Sequence, residues 1–163
     1  MTKKAAHGPH VNRSITPRKP AIESVYQGKL MRSLFEVEFA KALDARGIAW
    51  EYEPERIGGG RYLIDFYLPE LTCWVEVKGR FEARDDLLLP LAATRLQKER
   101  GERLFLYMKT RAYRVTTKDF AALSHDEFWD AIQKVPEKSD NLVYLKRENH
   151  EKRGRRRPWE PDA

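Results

Sequence analysis

The stretch RYLIDFYLPELTCWVEVKGR, residues 61–80, limits the possible folds more than any other part of the chain. It contains two runs rich in β-branched and aromatic residues, bounded by glycine and proline, with Pro-Glu-Leu between them. Such runs pair as an antiparallel hairpin. They are too apolar for a sheet with both faces in water, so other elements must cover it. Three charged residues, Asp65, Glu76 and Lys78, interrupt this apolar text. Alternation along a strand puts Glu76 and Lys78 on one face, their Cα atoms about 7 Å apart, with Val75 and Val77 on the other. In a suitable register Asp65 comes against Glu76.

The surrounding sequence supplies the cover. Residues 32–47 (RSLFEVEFAKALDARG) predict a helix, with Phe35, Phe39, Ala42 and Leu43 as an apolar stripe and Gly47 as the stop. Ser33 is its candidate N-cap and Glu36 stands where a capping box wants an acid. Residues 21–31 fit either a short strand or a lead into that helix. Alternation through Ile48, Trp50 and Tyr52 predicts a strand over 48–57, and the glycines 58–60 a turn. Residues 85–100 predict a helix that Pro90 kinks or starts late. Residues 103–109 predict a buried strand. Residues 116–135 predict one or two helices, capped by Thr117 or Ser124, with Phe128, Trp129 and Ile132 on the apolar face. The expected fold is α/β, a central mixed sheet flanked by helices.

Charge divides the chain. Residues 1–20 carry +5 and residues 146–157 another +5, while Glu160 and Asp162 subtract two. The total is +6, so residues 21–145 hold only −2. This pattern predicts a basic arm over 1–20, one domain over 21–145 and a basic tail over 146–163. Cationic ends on a near-neutral body suggest a polyanion, most simply nucleic acid, with Arg155, Arg156 and Arg157 as contacts. The competing reading is a pair of solubilising tails. Cys73 is the only cysteine, which excludes an intramolecular disulfide and a Cys-based zinc site. No run reaches the roughly 18 apolar residues of a membrane span, and the basic N-terminus lacks an apolar signal segment. A soluble intracellular protein without a membrane role is expected.

Two carboxylates side by side in a dry sheet repel, and one would have to protonate. A divalent cation removes the conflict, and carboxylate oxygens with open water positions suit Mg²⁺. Lys78 then stands beside the reacting water. The plainer alternative is a cross-strand ion pair on a wet face. No phosphate-gripping glycine motif is present, and His7, His10, His125 and His150 lack metal-ligand spacing.

Asp65 followed by Glu76-Val77-Lys78 resembles the motif of the PD-(D/E)xK nuclease superfamily. Ile64 stands where that family often has proline. RSLFEVEFAKALDARGIAWEYE (32–53) is similar to the opening helix and strand of phage-type endonuclease I, a Holliday-junction resolvase, and VEVKGRFEARDD (75–86) to its catalytic strand. The resemblance covers Arg32 to Met108. It implies a restriction-endonuclease-like core that cuts branched DNA, with Glu36, Asp65, Glu76 and Lys78 as its catalytic set. Asp65 and Glu76 would bind Mg²⁺, or Mn²⁺ in its place, with the Val77 carbonyl as a further ligand. Glu36 would complete a second metal site or orient a water, and Glu38 is its rival. Arg80, Arg84, Arg95, Lys98 and Arg100 become candidate phosphate contacts. The resemblance further implies an intertwined homodimer, with residues 21–31 as the exchanged segment, in the cytoplasm of a phage-infected or bacterial host cell. A same-fold nuclease for linear duplex and an inactive nucleic-acid-binding protein are the alternatives.

Overall fold

In the computed structural model, residues 8–13, 20–58 and 60–135 are described. Strands β1 (Ser24–Tyr26) and β2 (Lys29–Met31) form a separate ribbon, so residues 21–31 are a hairpin rather than a helix lead. Helix α1 (Leu34–Ala45) follows, then β3 (Glu51–Tyr52). A second ribbon pairs β4 (Arg56–Ile57) with β5 (Tyr62–Leu63). Then come β6 (Phe66–Leu68), β7 (Cys73–Val77), α2 (Ala83–Arg100), β8 (Arg103–Tyr107), β9 (Ala112–Val115), β10 (Phe120–Leu123) and α3 (His125–Gln133).

The main sheet has six strands in the order β10-β9-β8-β7-β6-β3. Neighbours run antiparallel except β7 and β8, which are parallel and joined across α2. This is the mixed, helix-flanked α/β sheet that the sequence predicts. Alternation along β7 divides the core between two faces. Cys73, Val75 and Val77 join Phe39, Leu43, Phe105, Phe128 and Ile132 beneath α1 and α3. Trp74 instead joins Leu89, Ala93, Leu96, Leu104 and Leu106 beneath α2. Phe39 centres the first layer, with ring centroids 4.8 Å from Tyr107, 5.0 Å from Phe66 and 5.7 Å from Trp129.

The expected hairpin forms between β6 and β7, pairing Phe66 with Val75 and Leu68 with Cys73. One step further, that register sets Asp65 opposite Glu76. Thr72 closes the turn at φ +48°, a left-handed conformation that a β-branched residue adopts at a cost.

Four expectations change. The strand over 48–57 is two strands, because Glu53 takes φ +43° and redirects the chain between β3 and β4. The run from Tyr62 to Leu68 is likewise broken at Ile64 and Asp65. Helix α2 neither starts at Pro90 nor stops there. It begins after Glu82, where a reciprocal Glu82–Asp85 capping box fixes its N-terminus, and passes through Pro90 to a left-handed Gly101. The helical bond that Pro90 omits would have gone to Asp86, an exposed residue. Finally, residues 116–135 are not all helical. Phe120–Leu123 is β10, paired with β9, and only α3 is a helix, capped by Ser124.

Residues 8–13 lie against the α2 face: Asn12 N–H donates to the Phe81 carbonyl at 2.7 Å, and Val11 packs into the second layer. Residues 1–7 and 14–19 of the basic arm and residues 136–163, with Arg155, Arg156 and Arg157, lie outside the described residues. Among the described residues, no helix is long and apolar enough to cross a membrane.

Candidate metal centre

Asp65, Glu76 and Glu36 meet at the C-terminal end of β7. Asp65 sits in the break before β6, and its Oδ2 accepts the Val77 N–H at 2.8 Å across the hairpin. Glu76 enters from the adjoining strand, and its carboxyl is in hydrogen-bonding contact with that of Asp65. Glu36 arrives from the first turn of α1. There Ser33 caps the helix by accepting the Glu36 N–H at 3.2 Å, and its hydroxyl donates to Glu36 Oε2 at 3.0 Å. The Tyr52 hydroxyl donates to Glu36 Oε1 at 3.1 Å. Glu36 also touches Asp65, so Asp65 is the common member of both contacts. Glu38 is exposed, which leaves Glu36 as the helix acid at the site.

All three acids are at most 5% exposed. Burial, then the charge of Asp65, pushes the Glu36 carboxyl up to about 7. Burial and Glu76 hold the Asp65 carboxyl well above the usual range. Burial also raises Glu76, opposed by its bond to Asp65 and by the charge of Lys78. Tyr62, in contact with Glu76, keeps its phenol proton through burial and the negative charge of Glu76 and Asp85. Burial and the neighbouring carboxyls thus make all three acids easier to protonate than they are in water.

The other charged groups are arranged around this cluster. Lys78 lies on the Glu76 face, as alternation predicts, and its Nζ is 3.0 Å from Asp85 Oδ1. The second Asp85 oxygen accepts the Glu82 N–H at 2.9 Å, so the α2 cap and the Lys78 anchor are one carboxylate. Glu53 completes a second group: one oxygen each from Glu36, Glu53 and Asp65 lie within 4.8 Å of one another. The Arg32 guanidinium pairs with Glu53 and stands 3.7 Å from Asp65.

Glu36, Asp65, Glu76, Val77 and Lys78 all line one cavity of about 1010 Å³. Arg80 and Arg84 line it as well, beside Arg32, Arg56, Arg61 and Lys109. An acidic floor thus opens between basic walls. Lys98 and Arg95 instead border a neighbouring groove along α2, where Arg95 pairs with Glu99 at 3.0 Å. Arg100 pairs with Glu55.

The donor set suits a hard divalent cation. Glu76 Oε2 is buried with no hydrogen-bond partner, an acceptor left over in a site made of acceptors. Residue reasoning assigned no role to Arg32, Tyr52, Glu53, Tyr62 or Asp85. For Asp85 a signal existed, since an acid three residues after Glu82 marks a helix start. Compared with protein-family models, with curated proteins and with solved structures, the chain matches none of them.

Proposed function

We propose that the chain is a metal-dependent endonuclease that hydrolyses DNA phosphodiester bonds at branched sites such as four-way junctions, on a restriction-endonuclease-like core. One observation carries this reading: three buried acids from α1, the β5–β6 break and β7 converge in a basic-walled cleft, with Lys78 on the same strand face as Glu76. Asp65 and Glu76, with the Val77 carbonyl, would hold Mg²⁺, or Mn²⁺ in its place. When bound, the ion neutralises charge on the phosphate and lowers the pKa of water.

The chain's own residues do the rest. Lys78, steadied by Asp85, positions the attacking water and offsets the negative charge that builds on the phosphate. Glu36 orients that water by accepting a hydrogen bond from it. Val77 N–H keeps Asp65 turned toward the cleft. Arg80 and Arg84 take backbone phosphates along the wall. We place the protein in a homodimer that exchanges residues 21–31; the β1–β2 ribbon exposes Val25 and Leu30 as a cross-strand pair.

The test is purified protein on a four-way junction, a linear duplex and single strands, with and without Mg²⁺. The expected result is metal-dependent cutting of the junction that disappears in Asp65→Ala. Sequence-specific cutting of the duplex alone would keep the chemistry and replace the substrate. Salt-sensitive binding without hydrolysis would make the chain a binding protein. Cutting that survives Asp65→Ala would reject the site.

A further inference from the structure

The acids at this site form two overlapping groups. Asp65 and Glu76 are one; Glu36, Glu53 and Asp65 are the other, with Asp65 in both. A fully ionised set of these four carboxylates carries more negative charge than one divalent ion offsets. The two groups differ in what already stands beside them. Glu76 keeps a buried oxygen without a partner. At the second group the Arg32 guanidinium pairs with Glu53 and lies 3.7 Å from Asp65.

We propose that Arg32 is the site's resident second cation. It stands where Glu53 and Asp65 converge, so the protein takes one divalent ion at Asp65 and Glu76 and none among Glu36, Glu53 and Asp65. This deepens the nuclease reading and rests on it.

The placement of Arg32 is built into the fold. Arg32 directly precedes Ser33, the N-cap of α1, so the start of the helix sets where its side chain leaves the backbone. Its own N–H donates to the Tyr52 hydroxyl at 3.4 Å, and that hydroxyl donates on to Glu36. Backbone and side chain of one residue therefore engage both flanks of the acidic group. An arginine suits this duty because its charge does not titrate and its fork offers five donors. Two carboxylates do not exhaust them. With its side chain 57% exposed and lining the cleft, Arg32 can also take a phosphate oxygen of the bound strand. A metal ion in the same place would neutralise the acids but would not be tied to the helix.

Counting bound Mn²⁺ by isothermal titration and by electron paramagnetic resonance tests this in the full chain. Wild type is expected to bind one ion, Arg32→Met two, and Arg32→Lys one. Arg32→Met keeps an apolar stem at an exposed position, and a melting curve run beside the titration checks that it folds. One ion in both wild type and Arg32→Met would overturn the Arg32 assignment and leave the metal reading standing. Two ions in wild type would overturn it as well. No ion in wild type would reject the metal reading itself. A further expected result is at least a tenfold loss of junction affinity in Arg32→Met with the metal absent. Unchanged affinity would remove the phosphate contact from the proposal.

Discussion

Both ends of the parallel pair β7–β8 bury charge, in opposite ways. At the starting end, next to Cys73, the Arg103 guanidinium is almost fully buried and donates to three carbonyl oxygens: Ala131 at 2.7 Å, and Leu71 and Ile132 at 2.9 Å each. Two of those carbonyls belong to the last turns of α3, where a helix has acceptors but no donors of its own and a cation is favoured. The arginine closes the helix onto the sheet. At the finishing end, Glu76 meets Asp65 and Asp65 meets Glu36, acceptor against acceptor, and a large cleft opens over them. Burial of charge therefore does not mark a site. What distinguishes the two ends is whether the protein supplies the complement. Arg103 keeps one buried Nε–H without a partner, but its terminal NH groups are matched from within by three carbonyls, whereas the acids face one another.

The difference can be broken from either side. Arg103→Met should cost about 2–3 kcal/mol of stability, because it removes the side-chain donor from the Leu71 and Ile132 carbonyls; urea unfolding measures this, and a loss below 1 kcal/mol would make the two ends alike. Asp65→Asn should do the reverse. Its amide oxygen still accepts from Val77, and the repulsion is gone, so the melting temperature holds or rises. Cleavage should meanwhile fall by about 10³-fold, equivalent to about 4 kcal/mol of barrier.

A pH scan of the metal-free protein sharpens the contrast. Glu36, raised from 4.5 to about 7, binds its proton more tightly in the folded than in the unfolded chain. That contribution is complete below about pH 4.5 and is lost as the pH climbs through about 7. Stability should therefore decline across this window in wild type and decline less in Glu36→Gln, as read by thermal melts in chelator. Asp85→Asn preserves the α2 cap but weakens the hold on Lys78. Turnover should drop about tenfold, the size of one charged hydrogen bond, with little change in melting temperature. The smallest effect is expected at the hairpin turn, where Thr72→Gly should stabilise by about 1 kcal/mol by relieving its positive φ, leaving cleavage unchanged.

Periodicity was a reliable guide where one residue type decides one face. The α1 stripe, its Ser33 cap, the β6–β7 hairpin and the shared face of Glu76 and Lys78 all follow from spacing. It failed where pairing overrides local preference. Phe-Ala-Ala-Leu at 120–123 is good helix text, yet β9 holds it as a strand. At the site, Glu36, Asp65 and Glu76 were legible because a register and a helix start bring them together. Glu53 was not, because its left-handed backbone breaks the alternation that would have located it. Arg32 lies on no regular element, and only the path of the chain into α1 assigns it a place.

The seat of residues 8–13 has a consequence for the order of assembly. They rest on Phe81 and beside Phe120, residues made much later during synthesis. During synthesis the part of this contact beside Phe120 can form only after β10 has emerged. Through the Phe81 carbonyl, the same segment braces the loop from Lys78 to Glu82, which carries the amine of the site.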